Sequence, residues 1–98
     1  LLCLEGLVRA LRIFKGKESC PQYRAADSPN PLCMQVEAST AQVRPFVICA
    51  VLRDLSFSED TYNSFIDLQD KLHQTIGRKR SLVSIGTHDL DTVEGPFV

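Results

Sequence analysis

The feature that most constrains the fold is a nearly continuous apolar run in the middle of the chain, at residues 43–52. Apart from Arg44 and Pro45, every side chain in this run is apolar. A strand with one face in water alternates apolar and polar side chains, whereas a continuous apolar run is typical of a strand covered on both faces. Pro45 stands near the start of the run, where a missing N–H disturbs a ladder least. The run therefore predicts a buried strand and a sheet around it.

An amphipathic helix is predicted near the beginning of the chain. Its charged side chains lie opposite the apolar ones, and Gly16 is expected to stop it just after Lys15. The apolar residues recur at helical spacing: Leu4, Leu7, Val8, Leu11 and Phe14.

A second amphipathic helix is predicted from Ser58 to about Ile76. Ser58 is a good N-cap, and Glu59 and Asp60 would lie in the first turn, where the helix dipole favours acidic side chains. Gly77 is expected to end the helix. The apolar stripe is broad: Tyr62, Phe65, Ile66, Leu68, Leu72 and Ile76.

The remaining segments give weaker signals. Residues 17–31 contain three prolines and are expected to form a loop, with a short strand conceivable at residues 22–24. Further strands are expected at residues 34–38 and 81–85, a turn at residues 86–91, and the start of another strand at residues 97–98. The order α, β, β, α, β predicts an α+β (mixed α/β) fold, a partial domain with two amphipathic helices packed on a small sheet. Both ends resemble cuts in a longer chain, so we expect an exposed apolar face or sheet edge.

Composition excludes several classes of protein. The formal net charge of -1 gives no overall attraction to nucleic acid, so any RNA contact must be local. We find no run long enough to span a bilayer and no secretory signal pattern, so we expect an intracellular, cytoplasmic chain. Cys3 and Cys49 stand in apolar surroundings and are expected to be buried. Free thiols are expected throughout, with a Cys20–Cys33 disulfide as the alternative.

A basic cluster, Arg78, Lys79 and Arg80, follows the predicted end of the second helix. Two interpretations are open. The cations complement the negative end of the helix dipole and stay solvated, or they contact phosphates, in which case binding would depend on salt.

A polar turn with His88, Asp89 and Asp91 follows the predicted strand at residues 81–85. Carboxylates beside an imidazole can orient it for acid–base chemistry or hold a metal. Alternatively, the carboxylates accept turn amides while Leu90 packs inward. We expect the second arrangement, with no metal, because adjacent side chains of an extended segment point apart. His73, on the apolar helix, is expected to be a core or rim histidine.

Several motifs resemble the cytosolic phenylalanyl-tRNA synthetase β subunits of archaeal and eukaryotic type. They occur in the family's order and cover most of the chain outside the loop at residues 17–31. The matching segments are LLCLEGL at residues 1–7, RPFV at 44–47, YNSFIDLQDKLHQ at 62–74, RKR at 78–80 and IGTHDLD at 85–91.

This resemblance implies a function that the residues alone do not. The family's enzyme is an α₂β₂ ligase that joins phenylalanine to tRNA(Phe) with ATP and magnesium, and its α subunit holds phenylalanine and ATP. The β subunit carries a region that hydrolyses mischarged Tyr-tRNA(Phe). Residues 1–16 would be a helix from the adjoining N-terminal region. Residues 17–98 would be the N-terminal part of the B3/B4 editing domain, truncated at both ends and without a cofactor of its own.

The resemblance carries over no catalytic residue. His88, Asp89 and Asp91 are candidates for the border of the editing pocket, and Arg78, Lys79 and Arg80 are candidates for RNA contact. The alternative is a structural or RNA-contacting module of the same subunit, which positions tRNA or the α subunit without editing chemistry.

Overall fold

The computed structural model describes residues 2–98, so Leu1, which begins both the first predicted region and the first motif, lies outside the described residues. Helix α1 spans Leu4–Phe14 and helix α2 spans Glu59–Gln74. Short 3-10 turns occupy Ala38–Gln42 and Leu90–Thr92. Both predicted helices are confirmed.

The predicted sheet is wrong, and with it the α+β fold class. In residues 2–98 the only strand-like pairing is one isolated parallel bridge between Met34 and Phe97, where the Gln35 amide donates to the Phe97 carbonyl at 3.0 Å. Residues 22–24, 43–52 and 81–85 form no strand, and the expected strand at 34–38 gives way to the 3-10 turn that begins at Ala38.

The apolar run at residues 43–52 shows why the prediction failed. Its side chains are exposed, with Phe46 at 91% and Ile48 at 96%. An apolar segment becomes a strand only when neighbouring strands complete its hydrogen bonds and cover its faces. No described residues do so, and the run forms no ladder. The expectation of an exposed apolar face is confirmed, whereas that of a sheet edge is not.

The chain divides into two compact units. The first consists of the chain up to Arg24 together with Ser56–Gly86, and the second of Ala25–Leu55 together with Thr87–Val98. The first unit contains both α-helices, and the second contains the two 3-10 turns.

Helix α1 ends where the sequence predicts. Gly16 has a φ of 65°, the left-handed conformation that favours glycine. The Lys17 amide donates to the Arg12 carbonyl at 2.9 Å and the Gly16 amide to the Ile13 carbonyl at 3.0 Å. This pair of bonds is a Schellman motif, which satisfies carbonyls that the helix leaves open.

Helix α2 is capped by Ser58, as predicted. The Ser58 hydroxyl accepts from the Thr61 amide and the Thr61 hydroxyl accepts from the Ser58 amide, which makes a reciprocal capping box. Phe57, just before the cap, packs against Phe65 with ring centroids 5.4 Å apart. Within this unit α1 packs against α2. The predicted apolar stripe of α1 stays exposed, with Leu11 at 57% and Phe14 at 87%, whereas Gly6 and Ile13 are half-buried.

The cysteines follow the expectation in part. All four are free thiols. Cys3 is buried, as predicted, but Cys49 is exposed because the run that contains it is not covered. Among the described residues no helix has the length and apolarity needed to cross a bilayer.

Candidate functional site

Arg78, Lys79 and Arg80 form a turn with an unusual backbone, which we call the basic turn. Their φ angles are 48°, 54° and 65°, so three consecutive residues with a Cβ adopt the left-handed conformation. This conformation costs roughly 1–2 kcal/mol for each such residue. All three are exposed. The surrounding structure must hold the turn in place, since nothing in its own residue types favours this backbone.

Gly77 supplies part of that support, though in a different way from the one predicted. Helix α2 already ends at Gln74, and the left-handed residues are those after Gly77 rather than the glycine itself. A Cβ at Gly77 would lie 2.7 Å from the Val83 carbonyl oxygen and 2.9 Å from that of His73. The position therefore requires glycine because two backbone segments approach each other closely there.

Backbone hydrogen bonds close the turn. The Arg78 amide donates to the Thr75 carbonyl at 3.1 Å, and the Leu82 amide donates to the Gly77 carbonyl at 3.1 Å. The Ser81 hydroxyl adds a 2.6 Å bond to the Arg78 carbonyl. The turn is thus a defined structure, in which the cations occupy fixed positions along the backbone.

His73 connects the helix with the segment that returns from the basic turn. Its side chain is only 2% exposed, which confirms the expectation of a core histidine. Nε2 accepts a 2.8 Å hydrogen bond from the Ile85 amide, whereas Nδ1 has no partner among the described residues. One helical turn earlier, Gln69 Nε2 donates to the Ile85 carbonyl at 3.3 Å. Both backbone groups of Ile85 are therefore bound by side chains of α2.

The geometry bears on the two interpretations of the basic cluster. Carbonyls in the last turn of α2 are already bound by backbone amides: Leu72 by Gly77, and His73, more weakly, by Arg80 at 3.4 Å. Arg78 and Lys79 make no side-chain hydrogen bond or ion pair with any described residue. Two of the three cations thus face solvent with their charge uncompensated, an arrangement that suits phosphate contact.

The turn with His88, Asp89 and Asp91 belongs to the second unit. Asp89 is the N-cap of the 3-10 turn Leu90–Thr92, and its Oδ1 accepts from the Asp91 amide at 3.0 Å. The Thr92 hydroxyl donates to the Asp89 carbonyl at 2.8 Å. The predicted amide-accepting role is thus confirmed for Asp89, and Leu90 is half-buried.

His88, Asp89 and Asp91 are all exposed. In residues 2–98 no three His, Cys, Asp or Glu side chains converge as metal ligands would. The arrangement can fix a backbone turn and present an imidazole to solvent. Whether this turn borders a pocket stays a prediction.

The residues that support the basic turn were not predicted from the sequence. Gln69 and Ile85 carried no signal, because a side chain that binds a distant backbone group leaves no periodic pattern. Gly77 was identified only as a helix stop. The sole available signal was the combination of a histidine on an apolar helix and a glycine four residues later, too common a pattern to be specific.

Comparison with known proteins adds independent information. The chain is 61% identical over 99 residues to the cytoplasmic phenylalanine–tRNA ligase β subunit of Arabidopsis thaliana, 63% identical over 99 residues to the β subunit of Caenorhabditis elegans, and 53% identical over 98 residues to that of Homo sapiens. Each match covers 99% of this chain and 17% of the relative. No family model and no solved structure matches.

These relatives are subunits of a tRNA ligase, so the chain is related to that class of protein. More narrowly, its resemblance to the phenylalanine–tRNA ligase β subunits is confirmed along 99% of its length. The chain spans about a sixth of those relatives, as the 17% shows.

Proposed function

We propose that the chain works as part of the β subunit of a cytoplasmic phenylalanine–tRNA ligase. The observation that carries this proposal is 61–63% identity to two such subunits along 99% of the chain. On this proposal the complete enzyme is an α₂β₂ assembly that joins phenylalanine to tRNA(Phe) with ATP and magnesium. The α subunit binds phenylalanine and ATP, and this segment binds no cofactor.

Within that subunit, we propose that residues 17–98 contribute to the region that hydrolyses mischarged Tyr-tRNA(Phe). The support is the family resemblance of residues 85–91, together with the ordered turn capped by Asp89. The turn shapes the backbone beside the editing pocket, and His88 and Asp91 lie at the pocket border. Chemistry is assigned to none of the three, because each is exposed and no described acid–base pair joins them.

The editing role is tested with the full-length β subunit assembled with its α subunit. Hydrolysis of Tyr-tRNA(Phe) and charging of tRNA(Phe) with phenylalanine are measured side by side for His88→Ala, Asp89→Ala and the parent. We expect Asp89→Ala to lower hydrolysis while charging is retained, since only the editing region is disturbed. Asp89→Asn, which keeps an amide acceptor, is the matched control. Equal hydrolysis in all four proteins would contradict the editing role.

A second function is favoured by the basic turn. We propose that Arg78, Lys79 and Arg80 contact the phosphate backbone of tRNA(Phe). The supporting observation is that Arg78 and Lys79 are exposed cations without a described partner, held on a strained but hydrogen-bonded backbone. Each phosphate neutralised by a cation releases counterions, so this contact should appear as salt dependence of binding.

The RNA contact is tested by replacing all three residues with glutamine in the assembled enzyme. The affinity for tRNA(Phe) is measured over a series of salt concentrations. We expect weaker binding at low salt and a log–log salt slope that is shallower by roughly one to three, one for each lost phosphate contact. A matched control replaces Lys15, Lys17 and Arg24, three other exposed cations, with glutamine. Equal effects of the two variants would show that net charge alone matters.

A further inference from the structure

We infer that His73 is a positioning residue, which holds the basic turn in the orientation that RNA contact requires. This inference rests on the proposed contact between the basic turn and tRNA. It concerns a residue that neither the family motifs nor the sequence pattern assigns to RNA binding.

His73 lies where the chain leaves α2 and where it returns to it. Three different atoms of this residue meet the segment that leaves α2 and returns to it. Its carbonyl accepts from the Arg80 amide at 3.4 Å, its backbone abuts Gly77, and its Nε2 accepts from the Ile85 amide at 2.8 Å. The bond from Arg80 is long and weak, so the imidazole provides the firmer attachment.

The chemistry of the imidazole fixes its role. A backbone N–H can only donate, so Nε2 must be the unprotonated nitrogen and Nδ1 must carry the hydrogen. The imidazole is only 2% exposed, so this acceptor lies in a part of the unit that is shielded from water. Loss of the acceptor leaves the Ile85 amide without its partner. It also removes the shorter of the two bonds that hold Ile85 to α2, the other being the 3.3 Å bond from Gln69 to the Ile85 carbonyl.

That loop contains the strained residues. Three left-handed residues in succession are strained, so they depend on every bond that holds the loop, and removing the bond at Ile85 lets them relax more often. The cations then sample many directions, and binding to RNA must order them again. The hydrogen bond between His73 and Ile85 thus lowers the entropic cost of RNA binding by the basic turn, although His73 itself does not contact the RNA.

The test compares two amide substitutions that differ in where they place an acceptor. His73→Gln can bring its Oε1 near the position of Nε2, whereas His73→Asn reaches only the position of Nδ1. Both are introduced into the full-length β subunit, assembled with its α subunit. Hydrogen exchange of the Ile85 amide is measured together with the affinity for tRNA(Phe) and its salt slope.

We expect His73→Asn to speed exchange at Ile85 and to weaken tRNA(Phe) binding by about two- to tenfold, the range of one lost hydrogen bond. His73→Gln should stay close to the parent in both measurements. In a protein whose basic turn is already replaced by glutamines, His73→Asn should have no further effect on binding, because it acts through that turn.

Three outcomes would overturn the inference. The first is faster exchange at Ile85 with unchanged tRNA affinity, which would make His73 a structural residue only. The second is an equal loss of affinity from His73→Asn in the parent and in the glutamine background. The third is identical behaviour of the glutamine and asparagine variants. If instead the glutamine-substituted basic turn binds tRNA(Phe) like the parent, the proposed RNA contact itself has failed.

Discussion

The backbone amide of Ile85 donates a 2.8 Å hydrogen bond to Nε2 of His73, so a helix side chain takes the place that a neighbouring strand takes in a sheet. The Ile85 carbonyl accepts from Gln69 of the same helix at 3.3 Å. The segment that follows the basic turn is therefore held to α2 through the two backbone groups of one residue, Ile85, and not through the repeated backbone bonds of a sheet. These two hydrogen bonds consequently help to position the cations of the basic turn.

Replacing Gly77 with alanine should destabilise the loop from Gly77 to Ile85. The added Cβ would meet the Val83 carbonyl at 2.7 Å and the His73 carbonyl at 2.9 Å, and backbone atoms cannot move aside cheaply. We expect a loss of about 1–3 kcal/mol in local opening free energy. Hydrogen exchange of the Leu82 amide in the complete subunit measures this loss.

The control for that experiment is Gly16→Ala. Gly16 has a positive φ, but no atom lies within 4 Å of its added Cβ. Its substitution should cost only about 1 kcal/mol, through conformation alone, and at the end of α1. A larger effect at Gly16 than at Gly77 would contradict the close approach described for Gly77.

Replacing Lys79 with glycine should stabilise the basic turn. Lys79 has a φ of 54°, and glycine adopts this conformation without the steric cost that a Cβ imposes. The gain should be about 0.5–1 kcal/mol, after the greater freedom of glycine in the unfolded chain is subtracted. Hydrogen exchange at Leu82 should slow accordingly. Lys17→Gly removes the same charge from a backbone without positive φ, and it should give no such gain; slowing in both would point to charge instead.

Replacing Ser58 with alanine should weaken the start of α2. The Ser58 hydroxyl accepts from the Thr61 amide at 3.3 Å, and this bond satisfies an amide that the helix leaves open. We expect a cost of about 1 kcal/mol, read as faster exchange of the Thr61 amide. Ser56→Ala, at an exposed serine before the helix, is the matched control and should change little. The capping box would be refuted if the two variants were alike.

Replacing Asp89 with alanine should loosen the turn at Leu90–Thr92. Its Oδ1 holds the Asp91 amide at 3.0 Å. Both residues are exposed, so water can take over the freed amide, and we expect a cost of only about 0.5–1 kcal/mol. Asp89→Asn should retain most of the stability, and His88→Ala should retain all of it. NMR hydrogen exchange at Asp91 measures the change; a loss at His88→Ala equal to that at Asp89→Ala would contradict the assignment.

The sequence predicted the helices well because their determinants are local. The Ser58 cap and the Gly16 stop each act within a few residues of the position they define. Amphipathic spacing identified both helices, but not the face that α1 covers, since its predicted stripe is exposed and Gly6 and Ile13 are half-buried instead. The amide-accepting role of Asp89 is similarly local, and it too was expected from the sequence.

The sheet could not be predicted because a strand depends on distant partners. Residues 43–52 have the composition of a covered strand, yet Ile48 is 96% exposed since no described segment pairs with it. The left-handed backbone of the basic turn could not be predicted either, because it too depends on residues outside the segment. This backbone is supported by contacts of His73, Gly77 and Ile85, which lie outside the turn and leave no pattern in the turn itself.

The most direct test of the central claim is a graft. The 98 residues replace the matching segment of the Caenorhabditis elegans β subunit, to which they are 63% identical. The chimera is assembled with its α subunit and assayed for hydrolysis of Tyr-tRNA(Phe) and for charging with phenylalanine. Our account predicts that both activities persist, and that the Arg78, Lys79 and Arg80 to glutamine variant of the graft binds tRNA(Phe) more weakly. A chimera that assembles and charges phenylalanine but leaves Tyr-tRNA(Phe) intact would contradict the editing role, and one that fails to assemble would contradict the proposed place in the subunit.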